Sequence, residues 1–250
     1  MLFQQPVDQQ QVLFGKEVIT PEHEDWLRHH HNASYSPAAL SYLQQQLANS
    51  PRLRTGTFSA SAAGSCVRAQ QFEFVGLSRA PLTPKQISIL YNGTFMHYRW
   101  QLAGLTAGWL SGAEIPINDN AAGLIGTADG LHRDGGVVEF KSINAFGYSN
   151  IRTFGIKDRH RWQVQAYMYG LDQERALVIY ENKDTQSWTE FNIERDQTMI
   201  DAIIRTTDQM WNMTHVGQLY EPKEKCIDQT GTEYHQCPYR HRCLDIKVMP

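Results

Sequence analysis

The sequence predicts a mixed α/β fold, an α+β arrangement in which a mixed sheet is flanked by helices, and three observations carry that reading. Two β-rich runs, 124–131 and 137–141, are separated by Arg133-Asp134-Gly135-Gly136, residues suited to a tight reversal. A second pair of runs, 176–180 and 188–193, closes around Asn182-Lys183-Asp184-Thr185. Helical periodicity fills the segments before, between and after these pairs. At 250 residues the chain accommodates one substantial domain, placed over 57–250 and preceded by an extension over 1–56.

Taken in order, His29-His30-His31 comes first, and adjacent histidines diverge on any helix, which disfavours joint metal ligation and leaves a structural or surface role. Ser36-Pro37 then opens a helix to Ala48, with Ser36 as N-cap and proline in the first turn. The small-residue run 58–65 leads into Cys66 as a helix begins or turns. Thr83-Pro84-Lys85-Gln86 is a capping box, followed by Ile87, Leu90, Tyr91, Thr94, Tyr98 and Leu102 on one face of a long helix. Gly93 and His97 are four apart on it, so a glycine gap lies beside an imidazole that could reach a neighbouring strand. Residues 113–117 form the first sheet strand, on which Glu114 is either an inward carboxylate near a site or an exposed strand residue. After the first hairpin, Asp158 caps a helix running through Gln163, Gln165, Tyr167 and Tyr169 to Gly170. Gln165 and Tyr169 are i and i+4 neighbours, an amide and a phenol that can bond phosphate, sugar or base edges or else belong to a packed face. A last helix, 196–215, covers the sheet with Met199, Ile203, Ile204 and Trp211.

The first hairpin carries the chemistry. Side chains alternate along a strand, so Glu139 and Lys141 project from one side and Phe140 from the other. Asp129 joins them only if it lies opposite 139 or 141, which requires an odd-length loop; a two-residue Asp134-Gly135 turn would pair it with Phe140. A D…E-x-K arrangement suits a divalent-metal site, because carboxylates are hard oxygen ligands for Mg²⁺ or Mn²⁺ and a lysine orients water or stabilises developing negative charge. The same pattern also fits an amphipathic hairpin with solvated charges.

The net charge of −3 excludes a general polyanion-binding surface, so contacts with nucleic acid must rely on local patches. Arg152, Lys157, Arg159, His160 and Arg161 form one such patch, and Lys223, Lys225, Arg240, His241, Arg242 and Lys247 form another. No run reaches the length of a membrane span and the start lacks the pattern of a signal peptide, so no membrane association and a cytoplasmic location are expected. Cysteines in such a chain read as metal ligands or free thiols rather than disulfides. Cys226, Cys237 and Cys243 lie in a tail with too little apolar content to fold alone, and with Cys66 they make four thiolates suited to Zn²⁺ or an iron–sulfur cluster.

Over roughly residues 57–245 the chain resembles the RecB-like branch of the PD-(D/E)xK nucleases, specifically the Cas4 and AddB-type exonucleases that carry an iron–sulfur cluster. The resemblance rests on Gly93-x3-His97, Gly126-x2-Asp129, Glu139-x-Lys141 and Gln165-x3-Tyr169 in that order, and on one early and three late cysteines. It implies a restriction-endonuclease-like core in which His97, Asp129, Glu139 and the Phe140 carbonyl hold Mg²⁺ or Mn²⁺ and Asp129, Glu139 and Lys141 are catalytic. It also implies DNA contacts by Gln165 and Tyr169, and a structural [4Fe-4S] cluster on Cys66, Cys226, Cys237 and Cys243. One departure is the ten-residue separation of Cys226 from Cys237, with His235 inside it as a conceivable substitute ligand.

The function so implied is metal-dependent exonucleolytic hydrolysis of single-stranded DNA or DNA ends, in recombination, repair, phage replication or CRISPR adaptation. Arg159 and Arg161 would add affinity for DNA. The alternative is a DNA-binding or assembly module that keeps the fold and works through a helicase, a recombinase or a Cas1/Cas2-type integrase complex, with zinc or iron–sulfur as its staple.

Overall fold

The computed structural model describes residues 17–30, 34–48, 56–119 and 123–246; His31 and Lys247, named above, lie outside them. Helices α1 (Ile19–His30) and α2 (Pro37–Ala48) precede a two-residue strand β1 (Phe58–Ser59) and helix α3 (Val67–Phe74). The 24-residue helix α4 (Pro84–Ala107) leads into strands β2 (Leu110–Asp119), β3 (Leu124–His132) and β4 (Val137–Ile143). Helices α5 (Ala145–Phe154) and α6 (Asp158–Leu171) return the chain to the second hairpin, β5 (Arg175–Asn182) and β6 (Trp188–Glu194). Helix α7 (Gln197–His215) follows, and the tail holds two short helices, α8 (Glu224–Ile227) and α9 (Gly231–Gln236). The sheet is mixed, as the element order predicts: β1–β3 and β4–β5 are parallel, while β2–β3, β3–β4 and β5–β6 are antiparallel.

The middle strands are buried on both faces, which explains their unbroken apolar runs. Val138 and Phe140 of β4 and Leu177 and Ile179 of β5 pack with Met96, Trp100 and Ile19 from α4 and α1. Their alternates Val137, Ala176, Val178 and Tyr180 pack with Val164 and Met168 of α6 and Ile203 and Met210 of α7. The predicted caps at Thr83 and Ser36 are present, whereas Asp158 lies inside its helix, which Lys157 precedes without a side-chain cap. Thr83 and Gln86 complete the capping box of α4, Asp196 caps α7 through Met199 N (3.1 Å), and Ser36 Oγ takes the amide of Ala39 (3.2 Å). Helix α1 is anchored by the Glu190 carboxylate of β6, which accepts the amides of Val18, Ile19 and Thr20, each at 2.9 Å, a charge placed where the helix dipole is positive.

Three further expectations are corrected. The stripe Ile87, Leu90, Tyr91 on α4 is exposed, because the first half of that helix extends past the sheet and only Met96, Trp100, Gln101, Leu102, Ala103 and Gly104 are buried. Helix α7 turns Ile200, Ile203, Thr207, Met210 and Thr214 inward, and Trp211 is 39 % exposed. The tail is held by more than weak packing. The Arg68 guanidinium, on a residue 4 % exposed, donates to the carbonyls of Tyr220, Cys243 and Ile246, and Gln71 bonds Thr214, Gln218 and Tyr220.

That arrangement predicts the effect of Arg68→Ala. It strands three carbonyls, so unfolding stability should fall by roughly 2–4 kcal/mol and limited proteolysis should release the tail beyond Leu219 first. Denaturant titration and mass spectrometry of the fragments check both.

Candidate active site

β3 pairs with β2 along its length. Its other edge carries β1 at Leu124 and Ile125 and β4 at Gly130 and Leu131, and between those points the strands splay apart. Residues 133–135 separate the bonded pair His132 N to Gly136 O (2.9 Å), so the loop has the odd length that the D…E-x-K pattern requires. Continuing the Gly130↔Val138 register sets Asp129 across from Glu139. Gly126 permits the close approach beside it: a Cβ there would stand 2.9 Å from Ala60 Cβ and 3.2 Å from the Tyr167 ring. Gly93 has no such role, since a Cβ there meets nothing within 4 Å.

At the fork, Asp129 Oδ2 accepts the amide of Phe140 at 2.7 Å, in place of a ladder bond. Its Oδ1 lies 3.2 Å from His97 Nδ1, and the His97 ring meets Phe140 edge-on. The backbone carbonyl of Asp129 accepts Gln101 Nε2 at 2.8 Å. That amide nitrogen also reaches Glu114 (3.0 Å), and Gln101 Oε1 accepts the hydroxyl of Tyr42 on α2 at 2.6 Å. Glu114 therefore belongs to a side-chain network beside Asp129, with a left-handed φ of 53°.

Glu139 is 2 % exposed. Its Oε1 binds Lys141 Nζ and accepts Gln163 Nε2 at 2.8 Å, while Gln163 Oε1 accepts Lys141 Nζ at 3.0 Å and Gln163 Nε2 also meets Tyr167 Oη at 2.9 Å. Glu139 Oε2 is buried with no hydrogen-bond partner among the described residues. Burial, and then the charge of Asp129, push the Glu139 carboxyl up to about 7 against the pull of Lys141. Burial would raise Asp129 too, but His97, Lys141 and the Phe140 amide outweigh it and hold the carboxyl low. Burial would lower His97, yet Asp129 keeps it raised.

A buried carboxylate oxygen with no donor is costly unless a cation or a proton meets it, so the donor set fits a divalent ion. As the side chains stand, no three His, Cys, Asp or Glu residues among those described are gathered tightly enough to hold one. His97, Asp129 and Glu139 are neighbours around the fork that would have to converge on it.

The structure does not bring Gln165 or Tyr169 to this site. Gln165 is 1 % exposed and its amide is used at both ends, donating to Glu194 O (2.8 Å) and accepting Asp196 N (2.9 Å). Tyr169 packs against the core. Gln163 and Tyr167 stand there instead, the same Gln-x3-Tyr spacing two residues earlier, and that overlapping frame was the signal in the sequence. Tyr42 and Gln101 had no such signal. Arg159 is exposed and Arg161 half-buried at the start of α6, while His160 is buried against Tyr180 Oη (2.6 Å). Cys66, Cys226, Cys237 and Cys243 are half-buried and not disulfide-bonded, burial raises the Cys237 thiol, and as the side chains stand no three of them are gathered tightly enough to hold a metal. His29 bonds Asp25 O on its own helix.

No protein-family model matches the chain, and no curated protein sequence matches it. Among solved structures, the alkaline exonuclease LHK-Exo from Laribacter hongkongensis is similar at a TM-score of 0.51 and 16 % identity, over 65 % of this chain and 90 % of that one. LHK-Exo in complex with dAMP gives 0.50 and 16 %, over 64 % and 89 %. SSO0001 gives 0.46 and 17 %, over 80 % and 91 %. At that identity the first two show a shared fold.

The electrostatics predict a pH dependence for the metal-free protein. The native state holds a proton on Glu139 more tightly than the unfolded chain does, so this group's contribution to stability falls as pH rises from about 4.5 to about 7. Glu139→Gln should remove that fall, worth on the order of 1–3 kcal/mol, in urea titrations at pH 5 and pH 7.5.

Proposed function

We propose that this protein is a Mg²⁺- or Mn²⁺-dependent deoxyribonuclease that hydrolyses phosphodiester bonds exonucleolytically, at single strands or at DNA ends. The observation that carries the reading is the fork itself: an imidazole, two carboxylates and an ammonium around one buried, unpartnered carboxylate oxygen. The fold shared with LHK-Exo supports it, as do the ordered motifs that resemble Cas4 and AddB-type nucleases. A binding module working through a helicase or integrase has no need of Asp129, Glu139 and Lys141 together, so catalysis is the better reading.

Asp129 and Glu139, with His97 and the Phe140 carbonyl, would hold the ion, which polarises a phosphate and makes bound water more acidic. Lys141 is fixed between Glu139 and Gln163, and its ammonium can stabilise charge that develops on phosphate oxygens. Gln163 acts as a positioning residue, since one amide orients both Glu139 and Lys141. Arg159 and Arg161 would meet the DNA backbone.

We further propose that Cys66, Cys226, Cys237 and Cys243 bind a [4Fe-4S] cluster, with Zn²⁺ as the alternative metal for the same thiolates. Charged together four thiolates would repel, and a cationic metal centre relieves that repulsion. Anaerobic purification distinguishes the two by visible absorption and iron content. Cys→Ala at any of the four should remove colour and iron and lower stability; full iron in Cys226→Ala alone would assign the ligand to His235.

A labelled-end cleavage assay with and without Mn²⁺ tests the activity. Asp129→Ala and Glu139→Ala should abolish cleavage in folded protein, and Lys141→Ala should lower kcat by about a hundredfold or more. Gln163→Ala should lower kcat as well, whereas Gln165→Ala should lower the melting temperature and leave kcat of the folded fraction near wild type. Wild-type cleavage rates in both carboxylate variants would refute the assignment.

A further inference from the structure

The first half of α4 has no partner among the described residues. Every position from 81 to 92 is exposed, and Ile87, Ile89, Leu90, Tyr91 and Phe95 are each 41–62 % exposed. A run of that composition left in water marks a binding surface rather than a solvated face. Its position says what binds. The same helix continues without a break into His97, and Tyr91 lies only about 9 Å before that residue along the axis. Tyr91, Phe95 and Tyr98 share one side by their i, i+4, i+7 spacing, and the Phe95 and Tyr98 rings meet edge-to-face at 6.0 Å. Tyr98 in turn is the residue next to His97 on the same helix.

Charge agrees with position. No Asp or Glu occurs between Glu73 and Glu114, although the chain as a whole carries −3. Lys85 sits on the exposed first turn, while Arg79 and Arg99 are bridged to Glu73 and Glu181. The segment that carries this face therefore contributes no carboxylate of its own. In a duplex the π-faces of the bases are covered by the base pairs stacked above and below, whereas unpaired bases offer theirs to aromatic side chains.

We propose that the overhanging face of α4, formed by Tyr91, Phe95 and Tyr98, is the platform on which bases of an unpaired DNA strand stack as its phosphate enters the fork. The proposal rests on the nuclease reading for the strand's destination, and it names the unpaired strand as the substrate class. A protein partner on this face would stand across the approach to His97 and Asp129, which the substrate must use.

The test is fluorescence anisotropy with labelled oligothymidylate and with a blunt duplex, on full-length protein carrying Asp129→Ala to suppress cleavage. Adding Tyr91→Ala or Phe95→Ala should weaken oligothymidylate binding about tenfold each, change duplex binding less than twofold, and leave the melting temperature unmoved, because both side chains are exposed. Phe95→Tyr should retain affinity. In the active protein, the same alanine variants should raise KM for the unpaired strand more than they lower kcat. Unchanged oligothymidylate affinity in the alanine variants overturns the platform, as does a wild-type dimer in sedimentation that these variants dissolve without loss of strand affinity. If wild-type protein shows no Mn²⁺-dependent cleavage but the variants still lose strand affinity, the nuclease reading fails and the platform stands.

Discussion

The bond on which the rest of the site depends is the one from the Phe140 amide to Asp129 Oδ2. A buried amide must be paired, and where β3 and β4 diverge no backbone carbonyl is there to take it. A carboxylate takes it instead, with a charge-assisted bond that lets the strands separate without leaving a buried orphan. The separation creates the space, and the bond fixes one carboxylate at its edge. His97 arrives from the helix on one face of the sheet and Gln163 from the helix on the other, so the fork is where both layers meet.

Three buried glutamates show how this site differs from the rest of the interior. Glu190 accepts three backbone amides and the Thr20 hydroxyl. Glu181 is met by Arg99 and by the Trp100 indole at 2.6 Å. Each is satisfied by the protein and serves to dock a helix. Glu139 is equally buried, yet one oxygen is crowded by Lys141 and Gln163 while the other has no hydrogen-bond partner among the described residues. Glu22 also keeps one buried oxygen without a donor, so what sets Glu139 apart is its company, with Asp129, His97 and Lys141 gathered around one fork.

What could be read in the sequence was whatever depends on neighbours close along the chain. The capping box at Thr83, the N-cap at Ser36, and the loop parity that aligns Asp129 with Glu139 are local, and the structure has them. Two failures have a common cause. Gln163-x3-Tyr167 and Gln165-x3-Tyr169 have identical spacing but are offset by two residues, about 200° around a helix, so they face opposite ways. Only the packing of α6 decides which one meets Glu139. Likewise, the stripe beginning at Ile87 has the periodicity of a core face, but periodicity carries no information about where the sheet beneath the helix stops.

The N-terminal helices had no assigned role in the sequence, and their packing supplies one. Tyr42 of α2 holds Gln101 by a 2.6 Å bond, and Gln101 divides its amide between the Asp129 carbonyl and Glu114. Gln101 is fully buried, so its orientation is set by these partners and not by water. The backbone at Asp129 is thus gripped from two directions, by Gln101 through its carbonyl and by Phe140 through its side chain. Such a grip restricts the carboxylate where β3 lacks a ladder partner on that edge, which is the point at which a loose strand would otherwise let it drift. The segment before residue 56 therefore bears on the same few ångströms as the motifs that drew attention to the hairpin, through contacts that no spacing rule along the chain encodes.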